Sequence, residues 1–321
     1  MSRDGVSSIA AGATQAVLRI GARDVALTNL AKPFFAPTPS AAAIAKRGLL
    51  QYYEDAAPWL LPHLAGRAMV MKRYPGGATA PFFFMKRRPP GAPAWLATCR
   101  IDHGGGNVTD FPIVDDLAAL LYVVNLGCID LNPWYARCDD VDRPDVLHFD
   151  LDPVKHASGT TPFSAVREAA LALRAGLEEI GLTPYAKTSG SSGIHVYVPI
   201  ERGPVQHDVW RFAKGFAVAA ALRHPELLTA EYAIAKRPAG RVLVDYNQNA
   251  WGRTLASVYS VRPTPAASVS MPVSWEEVAA GVEIADFRIG NAVARLQTAG
   301  DGFAALLSGA RPRVDLARFL G

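Results

Sequence analysis

Apolar and polar positions along the chain fall into short alternating strands and helical stripes, with no internal repeat. In "VLHFDLDP", Val146 to Leu151 alternates as a strand with Leu147, Phe149 and Leu151 on the packed side, and Pro153 stops it. "FSAVREAALALRAGLEEIG" carries apolar residues at helical spacing, with Thr161–Pro162 as N-cap and first-turn proline and Gly181 as the stop. "PYAKTSGSSGIHVYVPI" predicts two short strands around a Gly/Ser turn, Val209 to Leu222 another helix, and "RVLVDY" another strand. Earlier, "AKPFFAPTPSAAAIAKRG" reads as a Pro-broken loop leading into a helix around Ala41 to Glu54. "GRAMVMKRYPGG" and "APFFFMKRR" suggest a hairpin-like pair of strands, with at least one ring of Phe82 to Phe84 expected to fill a core. Leu117 to Val124 is helical, and the last fifty residues are helical in two pieces beginning at the cap-like Ser274. Mixed strands with covering helices make an α+β or α/β chain.

Half of the 321 residues are apolar and 19% are charged, as in an ordinary globular protein. The longest apolar runs fall far short of the roughly 20 residues that span a bilayer. The first residues lack the apolar core of a signal peptide, so residues 1–22 are expected to be a mobile tail. Three cysteines, Cys99, Cys128 and Cys138, are odd in number and not in paired spacing; unlinked thiols in a reducing cytoplasm are expected. With His103 they match no common structural zinc pattern. The net charge is only +4, yet its distribution is uneven. Seven Lys/Arg and no acid lie between Ala56 and Ile101, whereas eleven aspartates face only Arg137 and Arg143 between Asp102 and Asp152. One segment suits an anion, the next cations, although solvated faces and aspartate-rich turns give the same pattern.

Side chains two apart on a strand project together, so Asp150 and Asp152 share a side. Two carboxylates that close repel, and a hard divalent cation relieves the cost. A two-metal reaction calls for a third carboxylate, and Asp245 ends a second apolar strand, with Leu243 and Arg241 on its face. Ser189 to Gly193 is a small-residue turn whose backbone N–H groups can converge on a phosphate, and His195 just beyond it can reach the same concavity. Separately these are ordinary turns and a structural histidine; together they describe a site for a metal-bound polyphosphate.

"HFDLDP", "KTSGSSGIHVYVPI" and "VDYNQN", in that order, resemble the three motifs of the archaeo-eukaryotic primase superfamily. More closely they resemble the polymerase domain of the bacterial non-homologous end-joining ligase, ligase D, and its stand-alone relatives. The likeness runs from about Val25 to Phe303 and includes "LTNLAK", "LLQYYEDAAPWLLPHL", "KRYPGG", "GCIDLNPW" and "ASVYSVRPTPAASVSMPVSWEEV". It implies an α+β primase-polymerase fold of mixed sheets and covering helices in two interleaved modules. A single catalytic domain at residues 23–310 would comprise a basic module (about 23–125), a catalytic module (about 126–270) and C-terminal helices (about 271–310).

By the same resemblance, Asp150 and Asp152 hold two divalent ions, Mn²⁺ or Mg²⁺, and Asp245 completes the site at the primer terminus. Ser189 and His195 match triphosphate-binding positions, and Gln248 and Arg262 match nucleotide-site positions. Lys72 and Arg73 match a basic pair beside the incoming nucleotide and primer end, Phe83 and Phe84 match base-stacking rings, and Asn29, Lys32 and Lys46 match a 5′-phosphate pocket. Three positions depart from the family: Ser192 replaces a lysine, Asn132 a histidine, and Pro238 an arginine, with Arg237 and Arg241 nearby. The implied activity is template-directed transfer of NTP or dNTP, filling short gaps or ends in DNA repair with a preference for ribonucleotides and manganese. The implied setting is a monomer in the bacterial cytoplasm and nucleoid, acting on gapped or primed DNA bearing a 5′-phosphate, with a ligase and an end-binding protein in trans. The alternative reading is a non-catalytic DNA-end or gap-binding module. An Asp-x-Asp phosphatase would need a later lysine and a further acidic motif, which "SGSSGIH" and Asp245 fit poorly.

Overall fold

The computed structural model describes residues 5–39, 42–156, 159–307 and 313–320 and mixes helices with strands, in agreement with the expected α+β class. Residues 1–4 of the expected tail, the expected helix start at Ala41, and residues 308–310 lie outside the described set. Among the described residues, no helix is long and apolar enough to cross a membrane. The chain divides into two compact units: Met1–Trp134 with Ala256–Val269 and Phe287–Gly300, and Tyr135–Leu255 with Ser270–Asp286 and Asp301–Gly321. Cys99 and Cys138 are disulfide-bonded and Cys128 is a buried free thiol. That corrects the expectation of unlinked cysteines, which an odd count without paired spacing had favoured.

In the first unit, the stretch read as a tail contains the strand Ala16–Ile20, which pairs with Arg23–Leu27 and buries Leu18. Helix α1 spans Lys46–Leu64, beginning later and ending later than expected, and runs through Pro58 and Pro62. Burial of Leu49, Leu50, Tyr53, Ala56, Ala57, Leu60 and Leu64 continues the apolar stripe across both prolines. That burial outweighs the hydrogen bonds that the prolines remove. Helix α2, Leu117–Asn125, starts where its pattern predicts, the Asp116 side chain accepting from the Ala119 N–H. Strands β1 (Met69–Arg73), β2 (Phe83–Met85) and β3 (Cys128–Pro133) form an antiparallel sheet with β1 in the middle. The segment Ala256–Val269 lies along β3: Ser257 N–H donates to Leu131 O (2.8 Å), and Leu131 N–H to Ser260 Oγ (3.0 Å).

The second unit is built on a six-stranded sheet. Its strands are β4 (Val146–Pro153), β5 (Tyr185–Thr188), β6 (Ile194–Pro199), β7 (Leu228–Thr229), β8 (Val242–Asp245) and β9 (Pro272–Val273), ordered β7-β8-β4-β6-β5-β9. All pairings are antiparallel except β7 with β8. Helices α3 (Phe163–Glu179) and α4 (Gln206–Arg223) pack on this sheet. Leu147, Phe149, Leu151, Ile194, Val196, Val198, Val242 and Val244 are completely buried, and the Phe149 ring lies 5.3 Å from Phe216 of α4. Period-2 alternation therefore leaves the opposite face to His148, Asp150, Asp152, His195 and Asp245. Thr161 is not the N-cap of α3: Pro162 takes that place, and the Thr161 hydroxyl is spent on the carbonyls of Val154 and Arg241. Ser274 does cap α5 (Trp275–Ala280), in a capping box with Glu277.

Candidate active site

The register of the second unit's sheet sets four polar residues in one row across four strands. Asp245 on β8 lies opposite Asp150 on β4, Asp150 opposite His195 on β6, and His195 opposite Lys187 on β5. Directly opposed residues share a sheet face with Cβ atoms about 5 Å apart. Asp152, two residues along β4, faces the same side and lies opposite Leu243. The three acidic positions expected from sequence thus converge, with His195 beside them. His195 Nε2 is 3.3 Å from Asp150 Oδ1.

Asp245 is held by the turn that follows it: Asn247 N–H donates to Oδ1 (2.8 Å) and Gln248 Nε2 to Oδ2 (2.9 Å). Gln248, expected at the nucleotide, is here a partner of the third carboxylate. Three carboxylates on one face are the hard-oxygen donor set that Mg²⁺ or Mn²⁺ takes, and they fit such ions in kind and register. No three His, Cys, Asp or Glu side chains among the described residues already form a cation site. Each Asp245 oxygen accepts one of these hydrogen bonds, and a carboxylate oxygen has a second lone pair with which to meet a cation.

The Gly/Ser turn does converge its N–H groups, but onto its own hydroxyl. Ser189 Oγ accepts from the N–H groups of Ser191 (3.1 Å), Ser192 (3.1 Å) and Gly193 (2.9 Å). The expected oxyanion nest is therefore filled by the serine, whose O–H is polarised for donation. A cavity of about 280 Å³ lies beside the turn, with Asp152, Lys155, Ser192, Arg237 and Leu243 among its walls. Arg237 thus shares a cavity with Asp152, its guanidinium fixed to the carbonyls of Glu231 and Tyr232. Arg241 instead pairs with Glu226 at 3.0 Å.

Sequence reasoning missed Lys187 within this row and the residues beside it. His148 stacks on Tyr135 with ring centroids 3.6 Å apart, and burial pulls its imidazole down to about 3, so it is neutral. Asn249 binds both backbone groups of His148: its Oδ1 accepts from the N–H (3.1 Å) and its Nδ2 donates to the carbonyl (2.7 Å). Lys187, completely buried, places Nζ 2.8 Å from His195 Nδ1. Asn249 and Lys187 both stood inside the quoted motifs, but neither spacing nor hydropathy marked a role for them.

The first unit gathers its own basic and aromatic set. Lys72 lies between Phe84 and Asp130 in register, with Nζ 3.5 Å from Asp130 Oδ2, and Arg262 Nε is 3.6 Å from the same oxygen. Asp130 is almost wholly buried, and that burial raises its pKa against the pull of the two cations. The Lys72 ammonium also sits 4.3 Å from the Phe82 ring and 5.4 Å from Tyr74, and the Arg73 guanidinium 5.1 Å from Phe83. Phe82, Phe83 and Phe84 are exposed by 49%, 44% and 58%, so none fills a core as one of them was expected to. Phe83 and Phe84 lie on β2, the edge strand of this sheet, while Met69, Val70 and Met71 of β1 are buried.

Lys46 opens α1, its Nζ donating to Thr28 O at 2.7 Å, and Lys32 Nζ bonds to Pro75 O. Lys32 N–H donates to Asn29 O, which joins the three expected phosphate-pocket residues at one helix N-terminus. Burial, then the neighbouring charges of Lys32 and Arg73, lowers the Lys46 ammonium to about 8. Asn132 is turned to the Asp130 carbonyl (3.1 Å).

Residues 45–303 match the family model for the primase-polymerase domain of LigD. The multifunctional non-homologous end joining protein LigD of Mycolicibacterium smegmatis is 31% identical over 284 residues, covering 88% of this chain and 36% of that protein. The bifunctional LigD of Bacillus subtilis is 29% identical over 259 residues, covering 80% of this chain and 41% of that protein. This chain therefore spans well under half the length of these relatives. Among solved structures, the polymerase domain of Mycobacterium tuberculosis ligase D in complex with DNA superimposes with a TM-score of 0.80 at 28% identity. That match covers 89% of this chain and 99% of the other.

Proposed function

The chain belongs to the LigD primase-polymerase domain family, a family of nucleotidyltransferases, and from there we propose that it adds nucleotides to a 3′-hydroxyl on gapped or primed DNA. The observation that carries this reading is the row Asp245–Asp150–His195 with Asp152 beside it on one face of the sheet. Asp150, Asp152 and Asp245 would hold divalent ions, Mn²⁺ or Mg²⁺. When bound, such ions lower the pKa of the attacking hydroxyl and stabilise charge on the leaving pyrophosphate. His195 and the polarised Ser189 hydroxyl donate to phosphate oxygens of the incoming NTP or dNTP. Lys72, Arg73 and Arg262 supply positive charge for phosphates, and the exposed rings Phe83 and Phe84 stack on bases. Asn29, Lys32 and Lys46 take the 5′-phosphate across a short gap. Work in DNA repair, with a ligase and an end-binding protein in trans, and a preference for ribonucleotides and manganese, belong to the same proposal.

The test is primer extension on a gapped duplex with and without a downstream 5′-phosphate, with each nucleotide class and with Mg²⁺ or Mn²⁺. Wild type should give a metal-dependent product and Asp150→Ala none, with both proteins binding the DNA. Binding by both with extension by neither would favour the non-catalytic gap-binding module.

A further inference from the structure

The row of polar residues does not stop at His195. Lys187 is 0% exposed, an uncommon position for a lysine and a costly one unless its ammonium is held. Its Nζ lies 2.8 Å from His195 Nδ1 and 2.6 Å from Ser270 Oγ, with the Tyr197 ring 5.6 Å away. Proton counting fixes the direction of each bond. Ser270 has one hydroxyl hydrogen, and it goes to the Thr188 carbonyl at 2.8 Å, so Ser270 accepts from Lys187. As an ammonium Lys187 has only donors, and His195 Nδ1 then accepts as well. At the other ring nitrogen stands Asp150, an acceptor when ionised. Both ends of the ring thus ask for one tautomer, with Nδ1 bare and the hydrogen on Nε2.

We propose that Lys187, anchored by Ser270, is a positioning residue that holds His195 as a single Nε2–H donor directed to the carboxylate side of the sheet. In this arrangement His195 offers a hydrogen bond to an anionic oxygen and has no free lone pair on Nε2 with which to act as a base. The consequence for nucleotide binding rests on the nucleotidyl-transfer reading above; the tautomer assignment does not.

Two measurements test it. In wild type, nitrogen-15 NMR of the imidazole should show His195 with its proton on Nε2 and none on Nδ1. A proton on Nδ1 would overturn the proposal whatever the enzyme's activity. Second, Lys187→Met, an unbranched side chain one atom shorter that lacks the donors, is compared with His195→Ala and the double variant. Binding is read by fluorescence titration of an α,β-methylene NTP, alongside KM and kcat in primer extension. Lys187→Met should weaken nucleotide binding on the order of ten-fold through KM, with kcat changed much less. In the double variant the lysine change should add nothing to the loss from His195→Ala, since Lys187 acts through that ring. Wild-type affinity in Lys187→Met, or fully additive losses, would overturn the proposal. Should wild type bind no nucleotide and extend no primer, the polymerase reading fails while the NMR result still decides the role of Lys187. Should Lys187→Met fail to fold, Ser270→Ala, which leaves the lysine in place and removes its anchor, serves in the same cycle with the same two outcomes.

Discussion

Gly193 gives the most direct measure of how tightly the site depends on contact at the tip of β4. A Cβ added there would stand 2.2 Å from the Leu151 carbonyl oxygen, 3.2 Å from its carbon and 3.3 Å from Asp152 Oδ1. A carbon–oxygen contact needs about 1 Å more than the shortest of these, and the obstacle is backbone, which cannot swing aside. Leu151 pairs with Ile194, the next residue after Gly193, so relief must come from parting β4 and β6 at the end that carries both aspartates. Overpacking of this kind costs about 1–3 kcal/mol, which lowers the melting temperature by roughly 2–4 °C per kcal/mol. Displacing catalytic groups by about 1 Å costs roughly 100-fold in rate, or about 2.7 kcal/mol in the barrier. Gly193→Ala should therefore melt several degrees lower by differential scanning fluorimetry and extend a gapped primer about 100-fold more slowly. Gly215 in α4 is the control: nothing lies within 4 Å of its added Cβ, so Gly215→Ala should gain up to about 1 kcal/mol and leave extension unchanged. A Gly193→Ala protein within a degree and within three-fold of wild type would refute the contact argument.

Three further outcomes follow from the described geometry. Asn249→Ala strips both hydrogen bonds from the buried backbone of His148, and should cost about 2–4 kcal/mol in urea unfolding with a disproportionate loss of extension; an unchanged midpoint would contradict it. Replacing Phe82, Phe83 and Phe84 together by Ala should move the melting temperature little, because all three are exposed. Affinity for gapped DNA should fall at least about ten-fold by fluorescence anisotropy, since each base–ring stack contributes about 1–3 kcal/mol. Lys46 loses its proton in the folded chain near pH 8 but in the unfolded chain near 10.5, so raising the pH across that window favours the folded state. The preference for a 5′-phosphorylated over a 5′-hydroxyl gap should nonetheless be full at pH 7 and largely lost at pH 9. Equal preference at both would remove Lys46 from the pocket.

The parts legible in sequence were those that period and chain order encode locally. The alternation of "VLHFDLDP" separated Asp150 and Asp152 from Leu147, Phe149 and Leu151, and the structure keeps that division without exception. What stayed hidden depends on partners distant in sequence. Ser189 looked like part of an anion nest because turn residues predict where N–H groups point, and not which oxygen fills the space. Lys187 stood unremarked within its strand; only its bonds to His195 and Ser270, on β6 and just before β9, explain its burial. At least one ring of Phe82 to Phe84 was expected in a core because burial, unlike strand formation, is set by what stands opposite. Arg262 follows β3 through Ser257 and Ser260, a contact between residues more than a hundred positions apart, so its tie to Asp130 could not be read locally.

Register is the condition on which the whole row depends. A slip of β4 by one residue would turn Asp150 and Asp152 toward the helices and bring Phe149 and Leu151 to the polar face. Hydrophobic burial against α3 and α4 opposes such a slip but does not locate the strand along its own axis. Two contacts do. Asn249 grips the N–H and C=O of one residue, His148, and the Leu151 carbonyl occupies space that only a glycine at 193 leaves open. They lie on either side of Asp150, one from the turn after β8 and the other from the turn before β6. Those same turns carry Asp245's partners and Ser189, so the elements that bring the other polar groups to the row also hold the central strand in place. The small and polar residues in "SGSSG" and "YNQN" are thus needed to align the carboxylates even where they touch no substrate.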